Sequence, residues 1–176
     1  MIEIETPRLL LRDFQECDKQ DLFEILSDEQ WCLDGGGYHA YQKMDKEFDE
    51  LLEKFMTQSR YAIVLKKENK TIGIISLRKA DRAIKAYEFG FGINRKYQHN
   101  GYAYEAVSNL LNTWFTKMDV EMFVVSHFPY NTTSRKLIEK LGFIHEGTLH
   151  KAHGHVIHGA VDLDYYYLEK YKRTVD

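Results

Sequence analysis

The chain has 176 residues, of which 44% are hydrophobic and 14% aromatic. That length and composition are enough to bury a core, which excludes an intrinsically disordered chain. Lysine and arginine number 24 against 27 aspartate and glutamate residues, and the formal charge of −3 offers no basic surface for a nucleic-acid backbone, so we expect no nucleic-acid partner.

No linker is visible, because Pro7 and Pro129 stand far apart and no Ser/Gly/Pro-rich or single-sign run divides the chain. We expect a single domain over residues 1–176. No apolar stretch approaches the roughly 20 residues that span a bilayer, and the N-terminus is polar, so we expect no membrane insertion and a cytoplasmic location. Cys17 and Cys32 are too few for a disulfide framework and are expected to be reduced.

Residues 8–12 predict the first strand, and a helix follows from about Asp18, carried by an apolar stripe at helical spacing. The glycines at 35–37 interrupt this pattern, and a second helix is predicted near residues 45–58. Residues 31–38 combine bulky aromatic side chains with these glycines. We interpret them either as a mobile wall of a binding site or as an ordinary connection between helices.

Residues 61–66 and 71–78 are apolar and rich in β-branched side chains, and they predict a hairpin. After a turn near residues 80–85, the run 88–93 predicts a strand with two unlike faces. One face carries Phe89, Phe91 and Ile93, and the other carries Glu88, Gly90 and Gly92. Because glycine weakens a strand interior, the bare face predicts the close approach of a ligand or of another backbone.

This strand runs through Gln98-His99-Asn100-Gly101-Tyr102-Ala103 into a strongly periodic helix that ends near Met118. The first N–H groups of a helix lack intrahelical partners and lie at the positive end of its dipole, so the junction predicts a site for a phosphate-bearing cofactor. Gly101 permits a positive φ or a close approach to the backbone. No Walker loop or dinucleotide fingerprint accompanies it.

The remaining elements are a strand at 122–127, a helix at 131–141 that stops at Gly142, a strand from Phe143, a turn around His153–His155 and a last strand within 161–168. This order predicts a mixed α/β sheet with helices on its faces. The histidines of the C-terminal part have no carboxylate or cysteine partner at a familiar metal spacing, so we expect no metal site.

Gln98-x-x-Gly101-x-Ala103 resembles the acyl-CoA pyrophosphate signature Q/R-x-x-G-x-G/A of the GNAT N-acetyltransferase superfamily, in its usual place between a central strand and a helix. Four further stretches strengthen the resemblance and point to the branch of ribosomal-protein N-terminal (alanine or serine) acetyltransferases. They are Thr6-Pro7-Arg8-Leu9-Leu10-Leu11-Arg12, Glu105-Ala106, Asn131-Thr132-Thr133-Ser134 and Lys140-Leu141-Gly142-Phe143. The resemblance covers nearly the whole chain.

The resemblance implies a GNAT-like α/β fold: a mixed, mostly antiparallel central sheet with a V-shaped split and helices on both faces. The pantetheine arm of acetyl-CoA would lie in that split. The backbone N–H near Ile93 would stabilise the oxyanion, while Asn131 would either cap its helix or bind the pantetheine amides. The residues predicted to bind the cofactor are Ile93, Arg95, Gln98, His99, Asn100, Gly101, Tyr102, Ala103 and Asn131.

Acetyl transfer to an amine needs a neutral amine, a stabilised oxyanion and a proton for the departing thiolate. Glu88, beside the glycines and near the predicted C-terminal end of its strand, is the candidate base; otherwise it orients substrate or lies on an open surface. Ser134 stands near the place where many GNAT enzymes carry a tyrosine, and it is the candidate proton donor. It could equally be a local partner of the helix end.

The resemblance therefore implies an acetyl-CoA-dependent N-acetyltransferase that works by direct attack in a ternary complex, with a protein or peptide N-terminus as acceptor. Two alternatives stay open. One is a small-amine acetyltransferase acting on a polyamine, an amino acid or an aminoglycoside, and a strongly acidic acceptor pocket would favour the first and last of these. The other is a non-catalytic acyl-CoA-binding module that regulates a partner. A homodimer is a further expectation from the resemblance.

Overall fold

A computed structural model describes residues 2–170 of the chain. In this range an eight-stranded sheet is accompanied by five α-helices. The strands are β1 (Ile4–Glu5), β2 (Leu9–Asp13), β3 (Arg60–Leu65), β4 (Lys70–Lys79), β5 (Ala86–Ile93), β6 (Met122–His127), β7 (Ile144–His155) and β8 (Gly159–Glu169). The helices are α1 (Lys19–Leu26), α2 (Glu29–Gly36), α3 (Lys46–Thr57), α4 (Tyr102–Lys117) and α5 (Thr132–Lys140). No helix among these residues has the length and apolarity needed to cross a membrane.

The strand order is β1-β2-β3-β4-β5-β6-β8-β7, and neighbouring strands are antiparallel except for β5 and β6. That parallel pair is very short, because only Ala86, Tyr87 and Glu88 pair with β6. Beyond Glu88 the two strands part, while β5 stays paired with β4 as far as Ile93. The sheet therefore contains the V-shaped split that was predicted after the glycine-bearing strand.

Each face of the sheet has its own core. On one face the apolar stripe of α4, together with α5, covers side chains from the central strands. The buried residues of these two helices include Ala106, Leu110, Leu111, Trp114 and Phe115 on α4 and Ile138 on α5. On the other face α1 and α3 cover Ala62, Val64 and Ile74, with Leu22, Ile25, Phe48, Leu52 and Phe55 buried between them. The predicted arrangement of helices on both faces is confirmed.

A largely buried ion pair fastens β2 to the start of α1. Arg12 donates two hydrogen bonds to the Asp18 carboxylate at 2.7 and 2.9 Å, and the hydroxyl of Thr71 on β4 donates a third at 2.6 Å. Burial opposes the charge of Asp18, but the hydrogen bonds outweigh it and hold the pKa of this carboxyl below its ordinary value. Asp18 thus links three elements that carry the core beneath α1.

Asp18→Asn is expected to lower the free energy of unfolding by about 2 kcal/mol, because it leaves the partly buried Arg12 guanidinium without a counter-charge. Urea denaturation would measure the change. Asp49→Asn is the matched control: Asp49 pairs with Lys19 but its side chain is 55% exposed, so its loss should cost less than about 0.5 kcal/mol. Equal losses in the two variants would contradict the structural role of Asp18.

The structure corrects the interpretation of residues 31–38 as a loop. Helix α2 runs through Gly35 and Gly36, begins at an Asp28 cap whose side chain accepts from the Trp31 N–H, and ends at Gly37 with a φ of +67°. A Cβ at Gly36 would lie 2.1 Å from Cε1 of Tyr38, so close packing explains this glycine. The glycines that predicted a break instead accommodate Tyr38 and close the helix.

The turn predicted at His153–His155 was also placed wrongly. Strand β7 continues through His155, and the turn occupies residues 156–158 before Gly159, whose φ is +68°. The strand predicted over 88–93 begins earlier, at Ala86, so Glu88 is its third residue and lies far from its C-terminal end. The short strand β1 was not predicted.

Candidate active site

The bare face of β5 forms one wall of a cavity on the side of the sheet that α1–α3 cover. Gly90 and Gly92 share this face with Ser76 and Ile74 of β4. The ring of Trp31 lies directly over Gly92, where an added Cβ would be 2.4 Å from its Cζ2 atom. Gly90 is open to the cavity apart from the Ser76 hydroxyl, which an added Cβ would meet at 3.1 Å. The close approach predicted at the glycine face of β5 is therefore made in part by the ring of Trp31.

The free edge of β5 lines the split. Asn94 N–H bonds to the carbonyl of Ile72 on β4 at 2.8 Å, and in an antiparallel pair successive residues point their backbone groups to opposite edges. Ile93 and Phe91 therefore direct their backbone N–H and C=O groups toward the split. The Ile93 carbonyl accepts from Nε1 of Trp31 and Nε2 of Gln98, each at 3.0 Å, and its N–H lies on the same edge. The edge thus presents backbone N–H groups to the split.

The loop before α4 has an unusual backbone conformation. His99 and Gly101 have left-handed φ values of +63° and +77°, and Gly101 is the N-cap of α4. The Asn100 side-chain amide donates to the carbonyls of Tyr97 and Gln98, which fixes the conformation of the loop. The first intrahelical bond runs from Glu105 N–H to the Gly101 carbonyl, so the N–H groups of residues 102–104 have no intrahelical partner. This geometry suits a phosphate group.

Arg8 stands beside this loop, a placement that the sequence reasoning missed. Its guanidinium donates to the Asn100 carbonyl at 3.0 Å and to Glu105 at 2.6 Å, and it lies 4.5 Å above the ring of Tyr102. Glu105 also accepts from Thr6 and from Arg8 N–H; although burial opposes its charge, these bonds lower the pKa of the Glu105 carboxyl. Glu105 therefore ties the N-terminal segment to the loop and places a cation next to it.

The start of α5 faces the loop across the split. Asn131 caps α5 by accepting from Ser134 N–H at 3.0 Å, and its amide donates to the Asp34 carbonyl of α2 at 3.0 Å. Asn131 thus has the first of its two predicted roles, that of a helix cap, and its side chain also joins α5 to α2. The hydroxyl of Ser134 has no hydrogen-bond partner among residues 2–170. It is free to donate to a ligand.

A cavity of about 1080 Å³ connects these parts. It extends from the α4 loop and α5, through the split, to the space between α2 and α3. The predicted residues that line it are Ile93, Arg95, Gln98, His99, Gly101, Tyr102, Ala103, Asn131 and Ser134. Asn100 lies at the exposed outer side of the loop.

Glu88 faces a smaller adjoining cavity of about 300 Å³, and Gly35 at the end of α2 lines both cavities. The Glu88 side chain is 19% exposed, and Arg78 on β4 holds both of its oxygens, at 2.7 and 3.1 Å. Glu88 also forms the last pair between β5 and β6, so it lies where the split opens. The structure therefore places Glu88 next to the cavity that the other candidates line and not within it, and it pairs Glu88 with Arg78, a partner that was not predicted.

Two further predicted features have protein partners. Arg95 lines the cavity, but its guanidinium pairs with the Asp28 carboxylate at 3.2 Å. His153 bonds to the Gly36 carbonyl at 3.0 Å, and buried His155 accepts from the backbone N–H groups of residues 157 and 158. Within residues 2–170, no group of three or more His, Cys, Asp or Glu side chains is placed to hold a metal ion.

Residues 8–144 match the family model of the acetyltransferase (GNAT) domain, which covers most of the chain. The chain belongs to the GNAT acetyltransferase family. It is accordingly an enzyme, an N-acetyltransferase with acetyl-CoA as the donor, and the family predicted from the loop and helix motifs is confirmed.

Relatives of this GNAT enzyme agree with the assignment. An uncharacterised N-acetyltransferase, YnaD, of Bacillus subtilis is 28% identical over 153 residues, 85% of this chain and 87% of its own. The crystal structure of a GNAT-family acetyltransferase from Bacillus anthracis is 27% identical, with a TM-score of 0.86 over 97% of this chain and 99% of its own. The predicted fold is thus confirmed.

The structural neighbours of this GNAT enzyme include the branch that its motifs resemble. RimL, a ribosomal L7/L12 alpha-N-protein acetyltransferase solved in complex with coenzyme A, gives a TM-score of 0.81 at 18% identity, over 96% of this chain and 98% of its own. At this identity the likeness concerns the fold. The acceptor of this enzyme has to be argued from its own cavity.

Proposed function

We propose that the enzyme acetylates the α-amine of a peptide or protein N-terminus. The observation that carries the proposal is the cavity of about 1080 Å³, which joins the cofactor loop to a wide space between α2 and α3. In this arrangement acetyl-CoA enters from the side of α4 and α5, and an extended peptide reaches the split from the side of α2 and α3. The structural similarity to RimL, a ribosomal L7/L12 alpha-N-protein acetyltransferase, supports the same acceptor.

The charges of the cavity argue against polyamines and aminoglycosides. The carboxylates that line it are those of Asp34, Asp45 and Glu47, and they are balanced by Lys43, Arg60, Arg95 and Lys140. Asp45 is also engaged, by Lys43 at 3.1 Å and by the N-terminus of α3. A pocket for a polycation would present unpaired carboxylates, whereas this one is mixed. A mixed, open cavity suits a peptide backbone with varied side chains.

The proposed chemistry uses residues around the split. With acetyl-CoA bound, the thioester carbonyl carbon lies along the free edge of β5, and the neutral amine nitrogen attacks it directly. A C–N bond forms, and the carbonyl oxygen becomes an oxyanion next to the N–H near Ile93. Before this attack, Glu88, directly or through water, takes the proton that the ammonium loses on becoming a neutral amine. The C–S bond then breaks, and the departing thiolate receives a proton from Ser134. The second proton, which the nitrogen loses on becoming an amide, restores the Ser134 hydroxyl.

Ser134→Ala is expected to lower kcat about tenfold while leaving acetyl-CoA affinity unchanged. The effect is placed below the roughly 100-fold that positioned acids typically supply because a thiolate is a stable leaving group. Steady-state kinetics and a calorimetric titration would measure the two quantities. Thr132→Ala, an exposed change in the same helical turn, is the control and should have no effect. Unaltered turnover in Ser134→Ala would remove its proton-donor role.

A two-step experiment tests the function as a whole. Calorimetric titration of CoA-free protein with acetyl-CoA should show saturable one-to-one binding. Release of CoA thiol is then followed with N-terminal peptides, polyamines, amino acids and aminoglycosides as acceptors, and turnover should be highest with the peptides. Binding without turnover on any amine would support the non-catalytic module, and preference for one of the small amines would overturn the peptide acceptor.

A further inference from the structure

Arg60 is a cation in the cavity wall that the acetyl-transfer chemistry does not use. It stands at the start of β3, partly buried, with its guanidinium carbon 4.3 Å above the ring of Phe55 on α3. Burial lowers the pKa of Arg60 below its ordinary value, although an arginine stays charged at neutral pH. Removing a guanidinium from water is costly, and the cost is recovered when an anion pairs with it.

Arg60 forms no ion pair within the described part of the chain. One nitrogen, Nη1, donates to the Lys54 carbonyl at 3.3 Å and to the Gln58 side chain at 2.7 Å, and both are neutral acceptors. Nε and Nη2 have no acceptor among residues 2–170. By contrast, Lys43 and Arg95 in the same cavity pair with Asp45 and Asp28. Lys140 lies at the cofactor end, over the ring of Tyr104.

Its position in the sheet gives Arg60 a defined separation from the split. Arg60 is directly opposite Ser76, and Ser76 is directly opposite Gly90, so the three form one row on the cavity face. Two strand spacings separate the backbone at Arg60 from that at Gly90, roughly 10 Å. An extended peptide advances about 3.4 Å per residue, so its first two or three residues and an acidic side chain cover this distance.

We propose that Arg60 binds a carboxylate of the acceptor, and that the enzyme therefore prefers peptide N-termini with Asp or Glu at the second or third residue. The inference rests on the peptide acceptor proposed above and specifies its chemistry. The amine reaches the split beside Gly90, and the acidic side chain pairs with Nε and Nη2 of Arg60. The bare surface of Gly90 between them leaves room for the peptide backbone.

The test compares peptides that begin with Ser and differ only by Asp or Asn at the second or third residue. For the wild type we expect kcat/KM to be about tenfold higher with Asp, as for a charge-assisted hydrogen bond. Arg60→Gln should reduce the ratio of the two values to near one, and Arg60→Lys should keep part of it. The control Lys79→Gln removes an exposed cation outside the cavity and should keep the full ratio.

The outcomes separate this inference from the function on which it rests. Equal kcat/KM for the Asp and Asn peptides in the wild type, or an undiminished preference in Arg60→Gln, overturns the role of Arg60 alone. Absence of turnover with every peptide, in protein that binds acetyl-CoA, overturns the peptide acceptor and this inference with it. Thermal unfolding and acetyl-CoA titration establish that Arg60→Gln is folded, and the wild-type preference stands as a test independent of that variant.

Discussion

Gly101→Glu is expected to weaken acetyl-CoA binding by about 100-fold or more. Gly101 has a φ of +77°, which costs other residues roughly 1–2 kcal/mol, so the loop would relax and its N–H groups would turn away from the phosphates. The new carboxylate would also repel the pyrophosphate at the positive end of α4. Together these effects reach about 3 kcal/mol, and each 1.4 kcal/mol is tenfold in affinity. Calorimetric titration with acetyl-CoA measures the change.

The chain offers a matched control in Gly159→Glu. Gly159 has a similar φ of +68° and nothing within 4 Å of an added Cβ, but it lies in the β7–β8 hairpin outside the cavity. The substitution therefore adds the same charge and a similar strain without approaching the cofactor. Wild-type affinity in Gly101→Glu would remove the loop from the phosphate site. An equal loss in the two variants would assign the effect to stability.

Glu88→Gln is expected to lower kcat by about 100- to 1000-fold, within the range that positioned acids and bases supply. The amide cannot accept the ammonium proton, so turnover should depend on the small fraction of amine that is already neutral. The activity of the variant should then rise with pH over the range in which the free amine loses its proton. A pH–rate profile with a saturating peptide acceptor measures both effects, and acetyl-CoA affinity should stay at the wild-type value.

Glu146→Gln is the control for Glu88→Gln. Glu146 is also paired with an arginine, Arg82, at 2.6 Å, but it lies on β7 and lines neither cavity. Its loss removes an Arg–Glu pair without touching the split, so kcat should not change. If Glu88→Gln keeps the wild-type profile, the carboxylate has no role as a base, and its contact with Arg78 has only an orienting function.

The elements around the cofactor loop could be predicted from the sequence because their signals are local. The apolar stripe on α4, the glycine face of β5 and the Gln98–Ala103 pattern each lie within a short, continuous stretch of the sequence. The helix α2 was missed because Gly35 and Gly36 have low helix propensity. What allows them there is the packing of Tyr38 and the cap at Gly37, and such packing is visible only in three dimensions.

The hydrogen-bond partners of the candidate residues could not be predicted from short stretches of sequence either, because they depend on the three-dimensional arrangement. Arg78 reaches Glu88 through the register of β4 and β5, and Arg8 reaches Glu105 across 97 positions of the chain. The turn was predicted at His153–His155 because glycine is common in turns. The structure keeps Gly154 within β7 and has the turn at residues 156–158. Register and side-chain pairing decide these features, and neither has a signature within a short window.

The proposed donor site and the proposed acceptor site use different parts of β5, and this separation affects how the enzyme can diversify. In the proposed mechanism the acetyl donor is met by backbone groups on one edge of β5, which no exchange of side chain removes. The acceptor would meet the face that carries residues 88, 90 and 92 and the walls supplied by α2 and α3. Substitutions on that face and those walls can accumulate without loss of the common substrate. Duplicated copies of such a gene could therefore acquire new acceptors one residue at a time, each intermediate remaining able to use the same acetyl donor.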